Sequence, residues 1–175
     1  TIIESSPTCR YRYFENIFLH HLFLEYFKSG SNWVQAPKPL MTDNNFDISW
    51  INDEGQAYYN NLKQKKNYFD CGYEIMFDAA NCVRMGSHIL MNVSNKNQML
   101  GAEWLQKTLG KKYKVWTAPL TDSHIDSTFL PLKPGVAIIT KDFVKERLPK
   151  KLQSWDLIQV PMRERTKEEF NNQGL

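Results

Sequence analysis

The fold is decided by the stretch SHILMNVSNKNQMLGAEWLQKTLGKKYKVWTA, residues 87–118. Residues 87–93 form an apolar run that predicts a strand, and residues 113–118 form a second one. Between them, residues 98–109 have helical spacing, with Asn97 as the predicted N-terminal cap and Gly110 as the stop. An apolar run at residues 73–77 predicts a further strand upstream, followed by a turn region over residues 78–86. The predicted order is therefore strand, strand, helix, strand.

The same order of elements recurs downstream. Residues 128–132 and 136–140 predict two strands, joined by a turn at Pro134 and Gly135. Residues 141–153 predict a helical segment interrupted near Pro149, and residues 157–160 predict a third strand. The two helices begin about 43 residues apart, a period typical of radial or solenoid arrays in which each unit needs its neighbours.

The sequence of the N-terminal part predicts that it belongs to a third, truncated unit. Residues 2–4 read as the end of a strand, and residues 5–7 open a helix that runs to about residue 29. His21 lies on the apolar stripe of that helix, where a core or interface histidine is more common than a ligand. The predicted buried face consists of Phe14, Ile17, Phe18, His21 and Leu22. Residues 33–41 predict an extended segment, because Pro37 and Pro39 forbid helix there.

Residues 42–66 predict a long polar loop, with a short helix over residues 53–62. A loop of this length in a compact domain usually has a function, and often covers a site. Lys63, Lys65 and Lys66 at its end indicate a solvated loop.

Composition excludes several classes of protein. With 22 basic and 19 acidic residues the formal charge is +3, which is too mild and too dispersed for a nucleic-acid partner. Residues 17–27 are very apolar but too short to span a bilayer, so no membrane association is expected. The chain has three cysteines, an odd number, and their spacing is not that of a metal site: Cys9, Cys71 and Cys82. These features predict no zinc site, no disulfide framework and a reducing, cytoplasmic location.

Two polar clusters carry the candidate chemistry: FDAAN at residues 77–81 and HIDST at residues 124–128. Asp78 follows an apolar run, and strand ends are where sites gather in α/β proteins. In extended backbone His124 and Asp126 point to one face, which Thr128 continues, while Ile125 turns into the core. Two carboxylates can hold a guanidinium, and a histidine can give a proton to a leaving amine and take one from an incoming amine. Ser123, Ser127 and Thr128 adjoin the histidine, but nothing marks them as an activated nucleophile.

Each cluster also has a simpler interpretation. Asp78 could cap the turn that follows it. The segment HID at residues 124–126 could be a loop with ordinary surface polar groups.

Several motifs in one order resemble the amidinotransferase family. The chain has WVQAPKP at residues 33–39 where the family has W-x-x-A-P-K-P, and FDAA at residues 77–80 where the family has F-D-A-A or F-D-A-P. Gly101, Glu103 and Trp104 match a G-x-E-W pattern, and HID at residues 124–126 matches the family's H-I-D. The resemblance extends from residue 2 to about residue 161.

The resemblance implies a pentein-type fold, a five-bladed α/β propeller built from ββαβ units. Residues 1–175 would then be a partial amidinotransferase domain of about two and a half blades. Family members transfer an amidino group from a donor, usually arginine, to an amine through an amidino-cysteine intermediate. By motif match, Asp78 and His124 are the catalytic carboxylate and general acid/base, and Asp43 and Asp126 bind substrate. The partners implied are small molecules, no cofactor is implied, and a homodimer is left open.

The chain also departs from the family pattern. The family's nucleophilic cysteine lies in a G-G-x-x-H-C context near the C-terminus, and residues 1–175 contain no such motif. Asn81, Trp104 and the PLKPG run at residues 131–135 are more similar to the aminocyclitol and cyanotoxin members than to the glycine-specific ones. Two alternatives stay open: an arginine deiminase-like hydrolase, and a non-catalytic guanidinium-binding module if the chain natively ends at Leu175.

Overall fold

The computed structural model describes residues 1–6, 8, 12–41, 74–121 and 124–160. Asp43, the long polar loop with its short helix, the lysine run, Cys9 and Cys71 therefore lie outside the described residues. Within the described ranges no helix is long and apolar enough to cross a membrane.

The first complete unit is built as strand, strand, helix, strand. β3 (Cys82–Met85) and β4 (His88–Asn92) form an antiparallel hairpin in which Val83 pairs with Leu90. α2 (Lys96–Leu109) then crosses over to β5 (Lys114–Ala118), which runs parallel to β4. A helical crossover is what a parallel neighbour requires, because the chain must return to the same end of the sheet.

The second unit repeats this topology. β6 (Phe129–Lys133) and β7 (Val136–Ile139) pair antiparallel, and β8 (Asp156–Gln159) pairs parallel with β7. Its crossover consists of two short helices, α3 (Phe143–Arg147) and α4 (Lys150–Gln153). Pro149 separates them, as expected, because it offers no backbone N–H and disfavours helix in the residue before it. The prediction of an α/β fold with a recurring ββαβ order is confirmed.

The N-terminal part has the order of the last three elements of a unit. β1 (Ile2–Glu4) runs parallel to β2 (Trp33–Gln35), with α1 (His20–Lys28) between them. The buried Glu4 carboxylate accepts hydrogen bonds from Trp33 Nε1 at 3.1 Å and Gln35 Nε2 at 3.2 Å, and meets His20 Nε2 at 3.0 Å. These polar contacts fix the strand pair to the helix.

The core lies between the two units. Its larger cluster joins β4 and β5 to the second unit through ten buried side chains: Leu90, Ala118, Leu120, Ile125, Phe129, Ala137, Ile139, Val144, Leu148 and Leu152. A second cluster under α2 includes Phe77, Met91, Ala102 and Leu105. Ile125 and Phe77, the apolar neighbours of the two candidate site residues, are thus each anchored in a core cluster.

The predicted first strand of the first unit was placed wrongly. Within residues 74–77 only Phe77 pairs, in a single antiparallel bridge with Ser6, and the ladder begins at Cys82 inside the predicted turn region. Glu74 and Ser6 hold this segment instead: the Glu74 carboxylate accepts from the backbone of Leu40 and Met41, and Ser6 Oγ accepts from Phe77 N. Gly86, with φ of 62°, allows the tight turn between β3 and β4.

The N-terminal helix begins later than predicted. Ser6 is in the bridge to Phe77, a 3₁₀ turn spans Glu15–Leu19, and the α-helix starts at His20. The predicted buried face is also wrong, since Phe14 and Phe18 are 64% and 75% exposed and His21 is exposed. The helix contacts β2 through Phe23 and His20, whose rings meet Trp33, so a different face points inward.

The N-cap of α2 is two residues earlier than predicted. Asn95 is the N-cap, and its side-chain oxygen accepts from Gln98 N at 2.9 Å. Asn97 is buried in the first turn, where its Oδ1 accepts from Glu74 N at 3.1 Å. The predicted stop is confirmed, because Gly110 ends the helix with φ of 62°.

Candidate active site

Asp78 is placed by the core and by its own backbone. Phe77 is buried beside it, and Asp78 begins a 3₁₀ turn over Ala79–Asn81. Its Oδ1 accepts a hydrogen bond from Ala80 N at 3.0 Å, so the carboxylate caps this turn. Because Oδ1 is used locally, Oδ2 is the oxygen that can meet other groups.

His124 is placed by the residue that follows it. Ile125 is fully buried in the larger core cluster and opens a 3₁₀ turn over Ile125–Ser127. Ser127 Oγ donates to the carbonyl of His124 at 2.8 Å, which closes the turn. The imidazole itself is left 40% exposed at the surface.

The two predicted catalytic residues lie side by side. His124 Nε2 is 3.7 Å from Asp78 Oδ2, an ion-pair distance when the imidazole is protonated. The Asp78 side chain is 22% exposed, so the pair is in contact with solvent. An imidazole next to a carboxylate can exchange protons with a bound amine while the carboxylate holds a cation.

Arg12 is a third member of the site that the sequence did not reveal. Its Nη1 is 3.6 Å from the same Asp78 Oδ2, and its Nε is 3.2 Å from Glu15 Oε1. The Arg12 guanidinium and the His124 imidazole therefore face one carboxylate oxygen. No motif marked Arg12, since it stands 66 positions before Asp78 in the sequence. A bridge between Ser6 and Phe77 pairs the chain near both residues.

The predicted common face of residues 124–128 is not present. The 3₁₀ turn has about three residues per turn, so residues two apart do not share a face as they do in a strand. Asp126 is exposed and Thr128 is buried, whereas Ile125 does turn into the core as predicted. Asp126 thus lies near the pair in sequence but in a different environment.

Cys82 follows the Asp78 turn but does not have the properties of a nucleophile. Burial, and secondarily the nearby Asp78 charge, raise the pKa of its thiol to about 12. It is therefore a neutral thiol at physiological pH, and a thiolate is the reactive form of cysteine. The part of the chain described here pairs an acid/base residue with a carboxylate and provides no activated thiol.

Within the described residues, neither a group of metal ligands nor the cleft at the end of α2 defines the site. Among the described residues no three His, Cys, Asp or Glu side chains are grouped as metal ligands. A cleft of about 580 Å³ lies at the C-terminal end of α2, lined by Ser87, His88, Gln106, Lys107, Gly110, Lys111, Lys112, Tyr113 and Lys114. It contains neither Asp78 nor His124, so the site is identified by its side-chain contacts.

Comparison with known proteins adds the decisive observation. An inosamine-phosphate amidinotransferase of Streptomyces griseus is 37% identical over 164 residues, which cover 92% of this chain and 43% of that protein. An L-arginine:L-lysine amidinotransferase of Pseudomonas savastanoi pv. phaseolicola is 34% identical, covering 91% of this chain and 43% of that protein. The chain is a homologue of the amidinotransferases. No family model matches it.

Solved structures agree with the sequence relatives. An amidinotransferase from Microseira wollei in the saxitoxin biosynthetic pathway superposes with a TM-score of 0.72 at 35% identity, covering 91% of this chain and 44% of that one. A dimethylarginine dimethylaminohydrolase superposes with a TM-score of 0.58 at 13% identity, which shows a shared fold alone. The chain spans less than half the length of the amidinotransferase relatives it matches.

Proposed function

We propose that the protein to which this chain belongs transfers an amidino group from arginine to an acceptor amine. The observation that carries the proposal is the approach of His124 Nε2 to within 3.7 Å of Asp78 Oδ2, in a chain homologous to amidinotransferases. The pair has the two properties that the reaction needs, a proton donor and acceptor and a negative charge for a guanidinium.

In the first half-reaction a cysteine thiolate from outside residues 1–175 attacks the guanidino carbon of arginine. Asp78 holds the guanidinium, the carbon–sulfur bond forms, and the bond from that carbon to the ornithine nitrogen breaks. His124 gives its proton to the departing nitrogen, so that ornithine leaves as a neutral amine at that position. General acid help of this kind lowers the barrier because an amide anion is a very poor leaving group.

In the second half-reaction the acceptor amine attacks the amidino carbon. His124, now neutral, takes the proton that the amine loses, and the carbon–sulfur bond breaks to return the thiolate. Asp126 and Asp43 are proposed as further substrate-binding carboxylates, on the strength of the motif match. The same histidine thus serves as acid and then as base, and the cycle leaves it unchanged.

The proposed whole molecule is a five-bladed α/β propeller. The two ββαβ units and the β1–α1–β2 segment would supply about half of the ring, and later blades would close it and bring the nucleophile. A cytoplasmic location is proposed from the odd number of cysteines, and a homodimer is the proposed assembly. The acceptor is proposed to carry its amine on an aminocyclitol or amino-acid skeleton, as the names of the relatives indicate.

The test is a product analysis of the full-length protein. It is incubated with arginine and, separately, with lysine, glycine and aminocyclitol acceptors, and ornithine, citrulline and amidinated products are measured by mass spectrometry. The proposal expects ornithine with one amidinated acceptor in equal amounts. Citrulline as the main product would show a hydrolase instead, and neither ornithine nor citrulline with any acceptor would leave the binding-module alternative.

A further inference from the structure

Asn92 lies at a junction between the two segments that carry the candidate catalytic pair. It ends β4 and is 1% exposed, with Asn81 of the Asp78 turn, itself 7% exposed, on one side. On the other side are Leu120 and Thr121, which precede the His124 segment. A buried polar side chain in such a place must have its donors and acceptors matched.

The contacts of Asn92 use both ends of its amide group. Its Oδ1 accepts from Leu120 N at 2.9 Å and from Thr121 N at 3.1 Å. Its Nδ2 donates to Thr121 O at 2.8 Å and to Asn81 Oδ1 at 3.3 Å. The two backbone amides can only donate, so the atom facing them must be the oxygen, and the orientation of the amide is determined.

The partners of Asn92 lie close in sequence to the candidate catalytic pair. Asn81 belongs to the 3₁₀ turn that Asp78 caps, and Asn81 N donates to Asp78 O at 3.0 Å. Leu120 is fully buried and fixes the other segment in the core. The turn of residues 79–81 and the turn of residues 125–127 pack against each other. Asn92 thus links the Asp78 turn by hydrogen bonds to residues 120 and 121, which lie a few positions before His124.

We propose that Asn92 is a positioning residue that sets the distance between His124 and Asp78. The proposal rests on the proposed function for its catalytic consequence, since Asn92 itself touches neither of the two side chains. Only a primary amide of this length offers two acceptor and two donor directions at one point. Its loss removes the tie between the Asp78 turn and residues 120 and 121, and takes away the Asn92 acceptor of their backbone amides.

The variant that tests this is Asn92→Ala, with Asn95→Ala as the matched control. Both changes convert asparagine to alanine in the same unit, and Asn95→Ala removes the cap of α2 without touching either turn. Because displacement of catalytic groups by about 1 Å can cost about 100-fold in rate, kcat of full-length Asn92→Ala is expected to fall by about that factor. KM for arginine is expected to change little, and Asn95→Ala is expected to keep its kcat.

A second readout does not depend on turnover. Proton–proton Overhauser contacts between the His124 ring and the Asp78 β-protons are expected in the wild-type protein and in Asn95→Ala, and are expected to be lost in Asn92→Ala. If Asn92→Ala is not recovered folded, Asn92→Asp has the same size and removes both donor contacts, so it is expected to weaken the same Overhauser contacts. Retention of these contacts together with an unchanged kcat in the folded variant would overturn the proposal.

The two proposals fail in distinguishable ways. A wild-type protein that releases no ornithine removes the proposed function, and the Overhauser comparison still decides the role of Asn92. A wild-type protein that releases ornithine, with equal losses of kcat in Asn92→Ala and Asn95→Ala, keeps the function and removes the positioning role.

Discussion

At the scale of single residues, the candidate site contains two neighbouring ionisable groups, Asp78 and Cys82, whose surroundings differ. Asp78 is partly exposed and faces Arg12 and His124, so its charge has partners. Cys82, four positions on, is partly buried near that negative charge, and both desolvation and the charge raise the pKa of its thiol. Environment, and not residue type, decides which of these two groups is available for the proposed chemistry.

Cys82 is therefore expected to be unreactive and dispensable for activity. Since its thiol pKa is raised to about 12, iodoacetamide at pH 8 should leave Cys82 unmodified in the folded protein and modify it once urea has unfolded the chain. Peptide mass spectrometry measures the modification, and Cys82→Ala should keep the wild-type kcat. Rapid alkylation of folded protein at Cys82, with loss of activity, would contradict the burial argument.

The raised pKa of the Cys82 thiol also affects the stability of the protein at alkaline pH. The thiol ionises near 9.0 when unfolded and near 12 when folded, so the unfolded state loses its proton first as pH rises. This contribution to stability is full below pH 9 and is lost between pH 9 and 12. Urea unfolding over that range should show a flatter decline for Cys82→Ala than for the wild type, and parallel declines would contradict it.

At the scale of elements, sequence patterns identified those segments whose signals are local. The crossover of the first unit, the stop at Gly110 and the break at Pro149 were predicted, because caps, glycine and proline act within one turn. The segment before Asp78 was not, because its apolar run satisfies the strand pattern while its backbone is held by Ser6 and Glu74 from distant positions. The predicted buried face of the N-terminal helix was wrong for a similar reason. Periodicity shows which residues share a face, but it does not show which part of the protein covers that face.

The residues of the candidate site show the same difference between local signals and long-range contacts. Asp78 and His124 were predicted from motifs, and the structure places them together. The contacts of Arg12 and Asn92 were missed, because they join segments far apart in the sequence. The extended conformation expected for residues 124–128 was wrong because burial of Ile125 is achieved through a 3₁₀ turn.

Gly101 on α2 gives a prediction at the scale of elements. A Cβ at this position would lie 2.1 Å from the Met76 carbonyl oxygen and 3.2 Å from Phe77 Cβ, so α2 can pack on this segment only with glycine. Alanine would gain about 1 kcal/mol of helix propensity, but displacement of backbone atoms outweighs it, and Gly101→Ala is expected to destabilise by about 1–3 kcal/mol net. Urea unfolding measures the difference.

The control for Gly101 is Thr108→Ala on the exposed side of the same helix. It should change stability by less than about 0.5 kcal/mol, because the Thr108 side chain is exposed. Because Met76 and Phe77 lead directly to Asp78, Gly101→Ala should also reduce kcat. A Gly101→Ala protein as stable and as active as the Thr108→Ala protein would show that α2 does not determine the position of the Asp78 turn.

At the scale of the whole molecule, the site is assembled by neighbouring units and by the N-terminal segment. The first unit supplies Asp78 and Asn92, the connection to the second unit supplies His124, and the segment after β1 supplies Arg12. Repeat architectures place sites between units in this way, because each unit alone cannot bury its faces. The proposed nucleophile from a later blade would complete the same arrangement.

The central claim is that Asp78 and His124 act as one acid/base and cation-binding pair in amidino transfer. The most direct test is the rate of ornithine release from arginine by full-length His124→Asn, with folding verified by circular dichroism and Asn95→Ala as the control. General acid/base catalysis contributes about 100-fold or more, so the account predicts a loss of at least about that size while the control keeps its rate. Folded His124→Asn protein that releases ornithine within about tenfold of the wild-type rate would contradict the account.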